Sequence, residues 1–151
     1  IQKYDDAETC LKKAIQFKGD MKEAHNDLVT VLRKKGDNKA ALKVCEHALK
    51  KHKNDDTLHR NKGNILYALD EPEKALEAFE AALDLNPHVV DTWVNKGTVL
   101  WKAMEKRDEA LAAFDKALEI NPNFMAAVDS RINLEAEIKA NRPGFFKRIF
   151  G

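Results

Sequence analysis

Small and apolar residues recur along this chain at a nearly constant interval of 34 positions. One alanine series consists of Ala7, Ala41, Ala75 and Ala110, with steps of 34, 34 and 35. Further series keep the same phase: Ala14 with Ala48, Ala82 and Ala117, Ile15 with Leu49, Leu83 and Leu118, Gly63 with Gly97, and Pro87 with Pro122. Self-similarity at a fixed period of this length predicts a repeat architecture, in which each repeat is one supersecondary unit.

The period inside each repeat is that of an α-helix. Ala75, Leu76, Phe79, Ala82 and Leu83 are spaced i, i+1, i+4, i+7 and i+8, which places them on one stripe of an amphipathic helix. Two antiparallel helices approach closely only where one presents a small residue opposite a large one. The sequence therefore predicts that each repeat is a helix pair in which Gly63 packs beside Ala75 and Phe79.

Capping and proline signals set the helix boundaries. Pro72 suits the first turn of a helix, where a missing N–H costs nothing. Prolines after Asn86 and Asn121 end helices, because the proline ring disfavours a helical residue before it. Asp55 and Asp56 are the predicted N-cap candidates of the helix that follows them. The extra residue in the last interval is expected within residues 102–108, in a turn between helices.

These signals divide the chain into eight predicted helices without strands, in one array over residues 1–141. Residues 4–17 are the second helix of a partial repeat, and complete repeats cover residues 22–55, 56–89 and 90–124. A capping helix over residues 125–140 is predicted to direct Val128, Ile132 and Ile138 inward. Its polar outer face consists of Arg131, Glu135, Glu137 and Lys139. The start in mid-repeat suggests an excised part of a longer array.

The repeats resemble the tetratricopeptide repeat (TPR). The resemblance rests on Trp93, Gly97, Leu100, Ala110 and Phe114, followed by Ala117 and Pro122 in the same pattern. The preceding repeat carries Gly63, Ala75, Phe79, Ala82 and Pro87, and the repeat before it carries Leu28, Ala41, Cys45 and Ala48. The repeat over residues 22–55 departs from the family pattern at Val29, where the family has glycine. The resemblance implies an all-α fold, a right-handed α-α superhelix of antiparallel helix pairs.

The resemblance also implies where a ligand binds, because the first helix of each TPR pair lines a concave groove. By register, the predicted groove residues are Asn26, Thr30, Arg33, Arg60, Asn61, Asn64, Tyr67, Asn95, Thr98, Trp101 and Lys102. Asparagine amides both donate to and accept from a peptide backbone, and aromatic side chains often anchor interfaces. The alternative interpretation is that the asparagines are ordinary family residues and that Trp101 packs between repeats.

Some TPR domains grip a C-terminal carboxylate with five residues. Arg60, Asn64 and Asn95 fall at three of those positions, whereas Ala126 and Ser130 occupy the two remaining, cationic ones. A carboxylate gains most from charge-assisted hydrogen bonds, so this clamp is incomplete.

The C-terminal segment over residues 142–151 breaks the repeat pattern. Phe145, Phe146, Ile149 and Phe150 alternate with Lys147 and Arg148. One interpretation is a short basic amphipathic segment that contacts a membrane weakly or binds a partner. The others are that it folds back onto the capping helix or a neighbouring repeat, or that it is disordered.

Charge and composition exclude several classes of function. The chain has 26 basic and 25 acidic residues, which argues against nucleic acid as the main partner. The five histidines show no metal-ligand spacing and no nucleotide-binding or nucleophile motif is present, so no catalytic residue, metal or cofactor is expected. Cys10 and Cys45 are predicted to be buried core residues, and the default location is cytoplasmic.

The leading hypothesis is therefore a non-enzymatic scaffold that binds a protein or peptide in its groove. Self-association into a homo-oligomer, through the unpaired helix over residues 4–17, is the first alternative. A membrane-peripheral adaptor that uses the C-terminal segment is the second.

Overall fold

The computed structural model describes residues 2–18 and 21–141, which form eight α-helices and no strand. The helices are α1 (Gln2–Lys18), α2 (Lys22–Lys34), α3 (Asn38–Lys51), α4 (Asp56–Ala68), α5 (Pro72–Leu85), α6 (Val90–Lys102), α7 (Arg107–Ile120) and α8 (Met125–Ala140). The predicted all-α class is thus confirmed. The chain divides into two compact units, Ile1–Pro87 and His88–Gly151, and each is described separately below.

Each full helix pair is closed by a small residue opposite a large one. A methyl carbon added at Gly63 would lie 2.6 Å from Cε1 of Phe79, and one added at Gly97 would lie 2.6 Å from Cε1 of Phe114. Both phenylalanines are almost completely buried. The predicted small-to-large packing of α4 on α5 is therefore confirmed, and α6 and α7 repeat it in the second unit.

The first full pair, α2 with α3, has the same arrangement, but its larger residue is on the first helix and its smaller residue on the second. Val29 of α2 stands at the glycine position and Cys45 of α3 at the phenylalanine position. Both are completely buried in one hydrophobic cluster. The larger residue on α2 is thus matched by a smaller one on α3, because a packed interior tolerates little change in total volume.

The turn inside each pair contains one residue in the left-handed region at an equivalent position. These residues are Gly36 with φ 83°, Asp70 with φ 62° and Glu105 with φ 55°. A left-handed residue commonly ends a helix, and glycine takes this conformation without steric cost. The α6–α7 turn spans residues 103–106, one residue longer than the α4–α5 turn over 69–71, which confirms the predicted place of the insertion.

The predicted caps are also confirmed. The Asp55 carboxylate accepts a hydrogen bond of 2.7 Å from the Leu58 amide at the start of α4. Pro72 opens α5, and Asn86 and Asn121 are the C-cap residues of α5 and α7. Local sequence chemistry therefore fixes these boundaries.

Helix α1 contacts only α2 among the described helices. Its residues Ala7, Leu11 and Ala14 are half-buried, whereas their equivalents in α3, Ala41, Cys45 and Ala48, are completely buried. The prediction that Cys10 is a core residue is wrong, since Cys10 is exposed. The reason is that a helix packed on one side leaves its other positions uncovered.

Helix α8 buries a different face from the one that the sequence predicts. Its completely buried residues are Ala127 and Leu134, whereas Ile132 is 55% exposed. The prediction that Ile132 points inward is wrong. Ala127 and Leu134 lie two turns apart on one face, and Ile132 is about 140° away from Ala127 around the helix. Ile132 stands at the glycine position of the repeat, which faces a second helix in the other pairs, and no such helix follows α8 in the described residues.

We expect Gly63→Ala to destabilise the first unit by about 1–3 kcal/mol, because the new methyl group overlaps the Phe79 ring. Intrinsic helix propensity alone predicts the opposite sign, since alanine is favoured over glycine by about 1 kcal/mol inside a helix. Urea denaturation followed by circular dichroism measures the difference.

The matched test is the double variant Gly63→Ala with Phe79→Leu. The smaller side chain makes room for the methyl group, so the two changes together are expected to cost less than the sum of their separate effects. Additive effects, or a more stable Gly63→Ala protein, would show that the close contact does not hold the pair together.

Candidate functional site

The first helices α2 and α4 lie against each other in the first unit and form a shared face. On α2, Asn26, Thr30 and Arg33 are spaced i, i+4 and i+7, which aligns them along one side of the helix. On α4, Arg60, Asn61, Asn64 and Tyr67 form the corresponding side. The structure thus brings six of the predicted groove residues onto one surface, here called the α2–α4 surface, and Asn61 lies buried beneath it.

Two of these residues join the helices to each other. The Asn61 amide nitrogen donates to Oδ1 of Asn26 at 3.1 Å, and Asn26 also hydrogen-bonds Asp55. Asn61 is 6% exposed. Asn26 and Asn61 therefore fix the spacing of α2 and α4 and leave ligand contact to their neighbours.

Asp55 anchors this hydrogen-bond network. It is buried, yet it caps α4 and pairs with Lys22 at 2.9 Å. Burial by itself raises the pKa of Asp55, but hydrogen bonds from Lys22 and the Leu58 amide outweigh it, so the pKa lies below its ordinary value. The carboxylate stays ionised and holds Lys22 of α2 against the start of α4.

Three side chains of the α2–α4 surface are accessible to a ligand. Thr30 is exposed, and its hydroxyl donates to the Asn26 carbonyl at 2.9 Å. Tyr67 is exposed to 37% of its area, and Asn64 is half-buried. Together they offer a hydroxyl, an amide and an aromatic ring on a rigid backbone.

The α2–α4 surface also contains two arginines that no carboxylate of the described residues neutralises. Arg33 and Arg60 are both half-buried, and Nε of Arg60 is buried without a hydrogen-bond acceptor. Burial lowers the pKa of Arg33, and the positive charge of Arg60 lowers it further. A cavity of about 310 Å³ lies beside Arg33, lined also by Thr30, Lys34, Asn38 and Ala68.

In the second unit, Trp101 of α6 is held by α8. Its indole N–H donates to Oε2 of Glu137 at 2.9 Å, and Nε of Arg107 donates to the other carboxylate oxygen at 2.9 Å. The prediction that Glu137 belongs only to a polar outer face is therefore wrong, because its carboxylate joins α8 to α6 and α7. Spacing gave no signal for this contact, since the partners lie 30 and 36 positions away.

The neighbours of Trp101 limit the area of its ring that a ligand could contact. The Phe114 ring meets it edge-on, with centroids 6.4 Å apart and an interplanar angle of 84°. Nζ of Lys102 lies 3.1 Å from the centroid of the indole ring, a cation–π arrangement. Trp101 is thus half-buried and packed within its own unit.

The other predicted residues on α6 remain partly accessible. Asn95 and Thr98 are half-buried and Lys102 is exposed. The Thr98 hydroxyl donates to the Val94 carbonyl at 2.9 Å, as the Thr30 hydroxyl does to the Asn26 carbonyl, so each hydroxyl can only accept a hydrogen bond from a ligand. Phe145, Phe146, Ile149 and Phe150 lie outside the described residues.

Metal-binding clusters and reactive thiols were candidate features of the described residues. Across residues 2–18 and 21–141, no group of His, Cys, Asp and Glu side chains is arranged to hold a metal ion. Burial raises the pKa of the Cys45 thiol to about 12, and the thiol donates to the Leu58 carbonyl at 3.2 Å, so Cys45 is a core residue as predicted. No helix in this part of the chain has the length and apolar character needed to cross a membrane.

Comparison with known proteins identifies the repeats. Residues 57–89 and residues 90–124 each match a family model for the tetratricopeptide repeat. No curated protein sequence matches the chain significantly.

Solved structures share the fold. The crystal structure of MamA aligns with a TM-score of 0.80 at 21% identity and covers 89% of this chain and 78% of its own. YrrB, described as a TPR protein with an unusual peptide-binding site, aligns at 0.76 and 27% identity, covering 87% and 67%. The first TPR of Spaghetti (RPAP3), bound to an HSP90 peptide, aligns at 0.73 and 17%, covering 78% and 92%. The predicted TPR solenoid class is confirmed.

We expect Glu137→Ala to lower the thermal unfolding temperature at neutral pH, because Trp101 and Arg107 lose their shared acceptor. Hydrogen bonds from Trp101 and then Arg107 lower the pKa of Glu137. A carboxylate with a lowered folded pKa stabilises the fold above its ordinary pKa of about 4.3. That contribution disappears as the pH falls through the folded pKa. The wild type is therefore expected to unfold at a higher temperature than the variant at neutral pH. This difference in unfolding temperature is expected to vanish in strong acid.

Glu119→Ala is the control, since Glu119 is exposed and pairs with Lys116 of its own helix. It is expected to change the unfolding temperature little at any pH. A Glu137 effect no larger than the Glu119 effect, measured by circular dichroism melts, would mean that the contact does not secure α8.

Proposed function

The chain belongs to the tetratricopeptide-repeat family, and we propose that it is a protein-interaction module that binds a peptide segment on the faces of its first helices. The observation that carries this proposal is the α2–α4 surface. The hydrogen bond from Asn61 to Asn26 helps to fix its shape, so little conformational entropy is lost when a ligand binds. Polar, aromatic and cationic groups remain on its outside.

The chemistry of this surface suits an extended or helical peptide. The amide of Asn64 is of the kind that both donates to and accepts from a backbone. Tyr67 offers an exposed aromatic ring, and such residues often supply most of the energy of an interface. The peptide-binding site in the description of YrrB supports the same class of ligand. With many modest contacts, we expect affinities in the micromolar range, about −8 kcal/mol.

In the second unit, the α6 face offers less to a ligand. Asn95 and Thr98 are half-buried, and Lys102 lies over the Trp101 ring. Trp101 itself is largely occupied by Glu137 and Phe114. We therefore assign the anchoring role to Tyr67 rather than to Trp101.

Changing Thr30, Asn64 and Tyr67 together to alanine is expected to weaken peptide binding by about tenfold or more, equal to about 1.4 kcal/mol. Ligands are first selected from a random-peptide phage library on the immobilised full chain. The affinity of the selected peptides for both proteins is then measured by fluorescence anisotropy.

The matched control changes Lys39, Glu73 and Glu77 to alanine, three exposed residues on the second helices α3 and α5. Binding is expected to stay within about twofold of wild type, as is usual for residues outside an interface. Equal loss in both triple variants, or no loss in the first, would refute the α2–α4 surface as the binding site.

A second candidate function is self-association through α1. The half-buried stripe of Ala7, Leu11 and Ala14 corresponds to positions that are completely buried in α3 by the packing of α2. A helix from a second copy would cover this stripe in the same way. This candidate function rests on the difference in burial between equivalent positions of α1 and α3.

Sedimentation equilibrium over a wide concentration range tests self-association. The wild type is expected to show a concentration-dependent mass, and Leu11→Glu is expected to abolish it by placing a charge in the contact. Gln16→Glu, at an exposed position of the same helix, serves as the control with the same change of charge. A wild-type protein that is monomeric at every concentration removes this candidate.

A further inference from the structure

Helix α3 is basic, whereas α5, the equivalent helix of the next repeat, is acidic. Four lysines and one glutamate lie in α3, and one lysine and four acidic residues lie in α5. The reversal occurs at equivalent positions 34 residues apart. Lys43 corresponds to Glu77, and Lys50 corresponds to Asp84. The packing of the repeat therefore does not require lysine at these positions, because α5 occupies its place with acidic residues there.

A cavity of about 650 Å³ lies beside α3. Its lining includes one acidic residue, Glu46, and four lysines: Lys43, Lys50, Lys53 and Lys62. Lys62 belongs to α4, where it is about 160° around the helix from both Arg60 and Asn64. This cavity, here called the lysine cavity, is therefore on the opposite side of α4 from the α2–α4 surface.

Most of the positive charge of the lysine cavity is unneutralised. Lys43, Lys50 and Lys53 form no ion pair with a carboxylate in residues 2–18 and 21–141. Nζ of Lys62 is 3.8 Å from Oε1 of Glu46, so the acidic side chain of the cavity already has a cation beside it. A concave surface with an excess of one sign of charge attracts ligands of the opposite sign.

An apolar cleft of about 290 Å³ adjoins the lysine cavity and shares Lys43 and His47 with it. Its apolar lining consists of Ile15 of α1, Leu28 of α2 and Val44 of α3. Such a cleft suits one apolar side chain of a ligand, since interface anchors commonly fill pockets of this kind. The lysine cavity and this cleft are together called the α3 site.

Simple hydration of the lysines is the main alternative. Lysines are usually exposed, and cations are favoured in the last turn of a helix, where Lys50 and Lys51 lie. This alternative accounts for the end of α3. It does not account for Lys43 in the middle of α3, for Lys62 on another helix, or for the apolar cleft beside them.

We propose that the α3 site binds an acidic peptide segment, with carboxylates among the lysines and one apolar side chain in the cleft. Charge complementarity favours this ligand, because a carboxylate forms charge-assisted hydrogen bonds with lysine. Lys43 and Lys50 are about 10 Å apart along α3. Side chains three residues apart in an extended peptide have about the same separation, so one short segment reaches both lysines.

Other anionic partners fit this site less well. The lysines surround a cavity rather than lie across a plane, which is unsuited to a flat membrane surface. The chain as a whole has a formal net charge of +1, whereas nucleic-acid binding depends on many phosphate contacts. The α3 site is thus a second peptide-binding surface, independent of the proposed one on α2 and α4.

The first test uses three fluorescent peptides with both ends blocked, and measures their affinity for the full chain by anisotropy at low ionic strength. The first peptide has a central leucine between two pairs of glutamates. The second has glutamines in place of the glutamates, and the third has serine in place of the leucine. We expect the first to bind about tenfold or more tightly than the second, and to weaken as salt is added.

The serine peptide is expected to bind several-fold more weakly than the leucine peptide, because it leaves the apolar cleft unfilled. Equal affinity of the glutamate and glutamine peptides would overturn the proposal, since charge would then play no part. Equal affinity of the leucine and serine peptides would overturn it as well, because the cleft would then receive no anchor.

The second test changes Lys43→Glu and Lys50→Asp together. These are the residues that α5 carries at the equivalent positions, so the variant is expected to fold, which circular dichroism verifies. We expect it to bind the acidic peptide about tenfold or more weakly. The control, Lys13→Glu with Lys34→Glu, has the same change in net charge at exposed positions outside both cavities.

The control variant is expected to stay within about twofold of wild type, since screened surface charges act weakly at a distance. Equal loss in the two double variants would overturn the proposal in favour of general charge attraction. In the wild-type chain labelled with ¹⁵N, the acidic peptide is expected to shift the backbone amide signals of Val44 and His47. A shift confined to Thr30 and Asn64 would place the peptide on the α2–α4 surface and refute the α3 site.

Two further probes represent the other anionic partners. They are vesicles of equal parts phosphatidylcholine and phosphatidylserine, and a single-stranded oligothymidylate. Tighter binding of either probe than of the acidic peptide, lost in the Lys43 and Lys50 variant, would overturn the assignment to a peptide. A concentration-dependent mass in sedimentation that this variant abolishes and Leu11→Glu leaves intact would assign the site to a second copy instead.

These outcomes are distinguishable from failure of the proposed function. The Thr30, Asn64 and Tyr67 triple variant is expected to bind the acidic peptide as wild type does. If it loses that peptide while the Lys43 and Lys50 variant retains it, the α3 site is refuted and the proposed function stands. If phage-selected peptides are unaffected by the triple variant but the acidic peptide depends on the two lysines, the proposed function fails and the α3 site stands.

Discussion

The structure depends on the contact between a phenylalanine ring and the backbone of a glycine on the partner helix. At Gly63 and Gly97 the ring of Phe79 or Phe114 occupies the space that any side chain would take. Two helices joined by a turn of three or four residues can approach this closely only because one of them has no Cβ atom there. The contact fixes the rotation of each first helix about its axis. It therefore decides which side chains of that helix are directed away from its partner.

The pair of Val29 and Cys45 shows that total volume is the constraint, rather than the presence of glycine. Valine replaces glycine on the first helix while the smaller cysteine replaces phenylalanine on the second, and both are completely buried. Because the pair remains closed, α2 keeps the same face accessible as α4 does. The α2–α4 surface is therefore continuous despite different residues beneath it.

Hydrogen bonds and an ion pair hold α2 and α4 together beneath this surface. Asp55 holds Lys22 and Asn26, and Asn26 accepts from Asn61, so the polar groups between α2 and α4 satisfy one another. Arg33 and Arg60 stand apart from this network, and Nε of Arg60 is buried without a hydrogen-bond acceptor in the described residues.

The sequence by itself determined the repeat, the eight helices, their caps and the small-to-large pairs. These features follow from hydrogen bonding within a helix and from packing between helices that are adjacent in the chain, and both leave a periodic signal. The sequence also located the face that contains Thr30, Asn64 and Tyr67. Only the tertiary structure decided which residues of that kind are accessible. Tyr67 and Trp101 occupy equivalent positions, yet Tyr67 is exposed while Trp101 is bound by Glu137 of α8. Cys10 and Ile132 are exposed because no described helix covers them. Burial at such positions depends on contacts between residues far apart in the chain, which spacing does not encode.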